Sequence, residues 1–229
     1  MFKFIDMQAN VYFDGLDFNK HKQIIFKYVN EYYGTGVITE VGTPVSAPLE
    51  IPRLICVSKN GHSQLIVTGK MVQLATSFDE NYNASLDKCY NYVSERLQNV
   101  YNCLGEIGLN AVYAGLITNV EYKGVSSPKK HLLDKIFKVT FKEDVHDVSS
   151  KFTFVRDERY YINVTLSNLR TTSNNEVLVI NLDINDRYRY NYKIKEYGNS
   201  DKEDMCKIFQ LHKEFFKQNV DGLVRKGEM

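Results

Sequence analysis

Two stretches decide the fold: Tyr160-Tyr-Ile-Asn-Val-Thr-Leu-Ser-Asn-Leu-Arg170 and Glu176-Val-Leu-Val-Ile-Asn-Leu-Asp-Ile-Asn-Asp-Arg-Tyr-Arg-Tyr-Asn191. Both alternate apolar and polar residues with a period of two, the pattern of a strand buried on one face. Ile162, Val164 and Leu166 share a side in the first, and Leu178, Ile180, Leu182 and Ile184 do so in the second. Between them Thr171-Thr-Ser-Asn-Asn175 is a polar turn cluster whose asparagines tolerate positive φ. The pair reads as an antiparallel hairpin with an apolar face. If its turn centres near Ser173, the other face sets Asn163, Thr165 and Ser167 against Asn181, Asp183 and Asn185.

The same alternation opens the chain. In residues 3–13, Ile5, Met7, Ala9, Val11 and Phe13 fall on one side, and Asp6, Gln8 and Asn10 on the other. A helix capped by Asp17 or Asn19 follows, through about Tyr33, with Ile24, Ile25, Tyr28, Val29 and Tyr32 as its stripe. Gly34 and Gly36 end it. Strands are expected over 37–41, 53–58, 64–68 and 71–77, the middle pair joined at Lys59-Asn-Gly-His62. A long helix then spans 85–105, with Leu86, Cys89, Tyr90, Val93, Leu97, Val100, Tyr101 and Leu104 on one face.

The second half repeats this order. It has a long strand over 109–122, a short helix opened by Pro128, extended segments over 139–141 and 151–155, then the hairpin. Ser200 and Glu203 fit a capping box for a last helix with the stripe Met205, Ile208, Phe209, His212, Phe215, Phe216 and Val220. The expectation is an α+β fold of two pseudo-duplicated halves, 1–107 and 108–229, forming one continuous unit. Its antiparallel sheet carries long helices on one face and leaves the other open. Saddle-shaped duplicated folds such as that of TATA-box-binding protein have a similar element order, a likeness of architecture and not of function.

Composition excludes several classes. The chain has 229 residues, 43% hydrophobic and 13% aromatic, which suffices for a packed core. It has no run of eighteen apolar residues and no signal-peptide pattern at its start, so a cytoplasmic protein that does not enter a membrane is expected. With 29 basic and 28 acidic residues, net charge is +1, and no long-range field gathers nucleic acid. Cys56, Cys89, Cys103 and Cys206 form no CxxC. They are read as small apolar residues, Cys89 and Cys206 on the apolar faces of helices. No catalytic, cofactor or metal motif occurs.

Two surfaces remain as candidates. The first is the polar stripe Asn163, Thr165, Asn181 and Asp183, suited to a protein partner or a second copy through a wet interface. The second is Arg187, Tyr188, Arg189 and Tyr190. At strand period it puts tyrosines on one face and cations on the other, as a binder of single-stranded nucleic acid would. A third reading is an enzyme with an unfamiliar site around Asp183; Asp183 and Asn185 alone offer too few oxygens to specify a cation.

Three segments carry a resemblance: Ser77-Phe-Asp-Glu-Asn-Tyr82 with the helix after it, Ile180-Asn-Leu-Asp-Ile184, and Ile208-Phe-Gln-Leu-His-Lys-Glu-Phe-Phe216. Together they resemble a scattered, uncharacterised family of bacterial conserved hypothetical proteins of comparable length. The chain departs from that family at its start, which lacks the apolar, proline-containing opening. The family's patchy distribution implies a setting in mobile elements or antiviral defence, and it brings no catalytic residues.

Overall fold

The computed structural model describes residues 2–44, 46–170, 175–192 and 200–226. Among these residues nine strands form one antiparallel sheet. They are β1 (Phe2–Phe13), β2 (Val37–Glu40), β3 (Pro52–Val57), β4 (Ser63–Thr68), β5 (Met71–Ser77), β6 (Ala111–Tyr122), β7 (Ser149–Arg156), β8 (Tyr160–Arg170) and β9 (Glu176–Asn185). Their spatial order is β2-β3-β4-β5-β1-β6-β9-β8-β7. The opening strands of the two halves, β1 and β6, therefore pair at the centre, each flanked by the last strand of its own half. The sheet runs through the boundary near residue 107 without a break.

The long helices α1 (Phe18–Tyr33), α2 (Leu86–Glu106) and α5 (Lys202–Glu214) carry the buried stripes that cover one face of this sheet. Between β6 and β7 lies α3 (Pro128–His131), continued by a π-helical turn over Leu132–Phe137. A single helical turn, α4 (Tyr188–Asn191), follows β9, and α6 (Val220–Lys226) follows α5 through a second π-turn. Asp17 caps α1 by accepting from the Lys20 amide (3.1 Å), and Ser85 caps α2 from Lys88 (3.3 Å). Gly36 is required by space: a Cβ there would sit 2.1 Å from the Val57 carbonyl oxygen.

The expected hairpin register holds. Asn163 faces Asp183 and Thr165 faces Asn181, so the pairing is symmetric about residue 173. Ser167 lies opposite Val179, and Asn185 opposite Tyr161. The turn residues 171–174 are outside the described set. All seven residues of the hairpin's apolar face, Ile162, Val164, Leu166, Leu178, Ile180, Leu182 and Ile184, are buried, each burial contributing about 1.5–3 kcal/mol. His212 lies fully buried against β6, between the Leu116 carbonyl and the Thr118 hydroxyl (2.8 and 3.3 Å).

Five expectations are corrected. In β1 a bulge between Phe4 and Asp6 puts Phe4 in the core and leaves Ile5 exposed. Residues 139–141 form no strand, and Val139 and Phe141 are exposed. The capping box of α5 is built by Asp201 and Asp204 rather than Ser200 and Glu203. Cys206 is exposed, since the buried face of α5 runs through Met205, Ile208, Phe209 and His212. The second strand ends at Asn185, so the tyrosine-arginine run is not extended. Because β8 begins at Tyr160, a strand continuing past Asp186 would have no neighbour on that side.

Candidate functional site

The open face is built by the polar alternates of the central strands. One register row reads Asp6, Asn119, Asn181, Thr165 and Lys151 across β1, β6, β9, β8 and β7. The next reads Gln8, Ile117, Asp183, Asn163 and Thr153. All four stripe residues, Asn163, Thr165, Asn181 and Asp183, thus lie together on this face, each half-buried.

Three of the four, Asn163, Asn181 and Asp183, take part in side-chain hydrogen bonds that cross the strands. The Asn119 amide donates to Asp6 (2.7 Å), and Asn181 donates to the Asn119 oxygen (2.8 Å). Asp183 accepts from Asn163 on one oxygen (3.1 Å) and from Asn185 on the other (3.0 Å). The Thr153 hydroxyl donates to Asn163 (2.9 Å), and Gln8 and Gln73 both donate to Asn10 (3.2 Å each). Burial raises the Asp183 carboxyl above the ordinary value, offset in part by the two amides and by Lys151. An asparagine offers two donors and two lone pairs, and this ladder uses about half of that capacity. The remainder is available to a partner.

Half-buried Ile55, Val57 and Ile66 flank the ladder on β3 and β4, and Val37 beyond them is 62% exposed. The charges on the central face are mixed: Lys3 and Lys151 with Asp6, Glu121 and Asp183.

At one end of this face lies an aromatic cluster that strand periodicity did not anticipate. Tyr12 stacks on Tyr113 at 4.3 Å, and Tyr113 meets Tyr190 at 5.1 Å. Tyr161 meets Tyr188 at 5.3 Å, and Tyr188 meets Tyr192 at 4.7 Å. The Arg187 guanidinium lies 5.2 Å from the centre of the Tyr113 ring. The helical turn α4 folds back on the sheet, so Arg187, Tyr188 and Tyr190 join rings from β1, β6 and β8 instead of splitting into two faces. Arg189 points elsewhere, donating to the Glu158 carbonyl (3.3 Å). A groove of about 500 Å³ beside the cluster is lined by Tyr12, Asp14, Glu50, Lys70, Tyr113 and Tyr190.

No family model matches this chain, and no curated protein is similar to it.

Chemically the face is a hydrogen-bonding surface. Among the described residues there is no group of three or more His, Cys, Asp or Glu side chains able to hold a metal ion. No described helix is long and apolar enough to cross a membrane. Burial pushes the Cys56 and Cys89 thiols up to about 12, far from the thiolate a nucleophile needs.

A second polar cluster lies where the β7–β8 turn meets the start of α5, and single-sequence reading missed it. Asp204 pairs with Arg159, accepts from the Tyr160 hydroxyl (3.0 Å) and accepts from the Asp201 amide (3.1 Å). Buried Asp186 accepts from the Ala114 amide (2.7 Å), and burial raises its carboxyl to about 6. These contacts tie α5 and the end of β9 to the sheet. The signal available in the sequence was the Arg156-Asp-Glu-Arg159 turn, whose central pair adopts φ of 54° and 46° without glycine.

Proposed function

We propose that this protein is a non-enzymatic interaction module that takes a protein partner on its open sheet face. The supporting observation is the cross-strand amide ladder on β1, β6, β9 and β8, half-buried yet with hydrogen-bonding capacity to spare. At about 4.8 Å between strands, nine strands make a face roughly 40 Å across, enough for an interface of ordinary size. The tyrosines at one end are side chains in which interface energy concentrates, and Ile55, Val57 and Ile66 on one flank supply apolar area for an interface core. Mixed charge favours a protein over a polyanion. The family resemblance suggests antiviral defence in a bacterium as the setting.

The test replaces Asn163 and Asn181 with Arg. Each variant is expected to keep the wild-type melting temperature within a few degrees, because both side chains face outward, and to lose capture of the partner from the native host. Undiminished capture by both variants contradicts the reading.

One observation favours a second reading, binding of single-stranded nucleic acid. Arg187 stands over Tyr113 in the set Tyr12, Tyr113 and Tyr190, with a second set of Tyr161, Tyr188 and Tyr192 at the same end, an arrangement suited to base stacking beside a phosphate. On this reading a labelled oligonucleotide binds with an affinity that falls steeply with salt, and Arg187→Ala with Tyr190→Ala weakens it at least tenfold. Salt-independent binding, or none, removes it.

A further inference from the structure

The outer edge of β7 points to a second interface, independent of the open face. β7 is the last strand in the order, with nothing paired beyond it among the described residues. The other edge strand, β2, has four residues where β7 has eight.

The direction of the unpaired groups follows from the register. The Asn168 amide donates to the Val148 carbonyl (3.2 Å), and this pair continues the β7–β8 register. Hydrogen-bonded pairs alternate along an antiparallel ladder. Ser150, Phe152 and Phe154 therefore exchange backbone bonds with β8, while the N–H and C=O groups of Lys151, Thr153 and Val155 point outward. On the helix side, Phe152 and Phe154 are only half-buried. Beside them a groove of about 300 Å³ is floored by Phe154, Ile162, Leu211 and Phe215, with the Arg156–Glu214 ion pair at its rim (3.3 Å).

We infer that two copies of this chain pair through β7, antiparallel, with Thr153 on the two-fold axis. The self-complementarity of Ser-Ser-Lys-Phe-Thr-Phe-Val-Arg argues for a second copy over an unrelated strand. Centred on Thr153, the pairing sets each Phe152 against the second copy's Phe154, twice, across the close non-hydrogen-bonded positions and over the groove. Lys151 meets the second copy's Val155, and Arg156 meets its Ser150, so no like charges face each other. The outward backbone groups of Lys151, Thr153 and Val155 all find partners, and the exposed edge becomes the middle of a continuous sheet.

Native mass spectrometry and light scattering on the full chain test this. The expected mass at micromolar concentration is twice 26.6 kDa. Thr153→Pro is expected to convert it to monomer with an unchanged circular dichroism spectrum, since the amide it removes is not in the β8 ladder. Asn181→Arg leaves the dimer intact, which separates this interface from the open face. Should Thr153→Pro not fold, amide exchange in the wild type decides: Lys151, Thr153 and Val155 are slow in the dimer and fast at a free edge. A monomeric wild type, a dimer that survives Thr153→Pro, or fast exchange at those three amides overturns the inference.

Discussion

Asp204→Ala is expected to destabilise the fold by about 3–5 kcal/mol, the cost of breaking a buried ion pair from one side. Asp204 holds three separate groups at once: the Arg159 guanidinium, the Tyr160 hydroxyl and the Asp201 amide of the capping box. The carboxylate is 10% exposed and the arginine 25%, so the abandoned cation is poorly solvated. Loss of the box itself contributes about 1 kcal/mol. Arg159→Met on the same background should restore part of the loss, because it removes the stranded charge. Urea unfolding measures all three proteins. A loss under about 1 kcal/mol for the single variant would show that α5 is held by its apolar face alone.

The second large effect concerns pH, where two buried groups oppose each other. Desolvation lowers His212 from 6.5 to about 3. The Leu116 carbonyl can only accept, so Nε2 carries the proton and Nδ1 accepts from the Thr118 hydroxyl. Stability from a depressed histidine is complete above about pH 6.5 and drains away as pH falls toward 3. Asp186 runs the other way. Its folded value, about 6, lies above the unfolded 3.8, so its burial costs most above pH 6 and least below pH 4. Asp183 is shifted in the same direction as Asp186.

In the wild type these contributions largely cancel between pH 6.5 and 4. Asp186→Asn keeps an acceptor for the Ala114 amide and removes one opposing titration, leaving that of Asp183. Its unfolding free energy is therefore expected to fall over that window by at most about 3 kcal/mol, at about 1.36 kcal/mol per pH unit of imbalance, with Asp183 offsetting part of the fall. His212→Leu leaves the Leu116 carbonyl unpaired, at a cost of about 1–3 kcal/mol, and then gains stability on acidification over the same range. Denaturant titrations at pH 7, 5.5 and 4 give both slopes. A flat profile for Asp186→Asn contradicts the burial of a neutral His212.

What the sequence made readable follows from what periodicity encodes. Strands β8 and β9 have clean alternation because one face packs under helices and the other carries the amide ladder. Asn163, Thr165, Asn181 and Asp183 were placed on a common face for that reason alone. The bond from Asn181 to Asn119 on β6, and from Asn119 on to Asp6 on β1 in the other half, was not readable, because a period of two says nothing about which strands are adjacent.

The run from Asp186 to Tyr192 failed for the opposite reason. Its alternation is as good as that of β9, but a strand also needs neighbours, and β8 has none left past Tyr160. The Asp186 side chain takes the Ala114 amide and the chain turns into α4. The tyrosine cluster arises from that turn. Asp157 and Glu158 at positive φ were equally hidden, since neither is a residue that advertises a tight hairpin.

The central claim, a protein partner on the open face, is tested most directly by photocrosslinking in the native host. A crosslinking amino acid is placed at Thr165 or Asn181 on the face, and at Ser94 on the exposed side of α2 as a control. The expected result is a discrete heavier adduct from Thr165 and Asn181 and none from Ser94. Adducts from Ser94 alone would put the partner on the helical side and contradict the account.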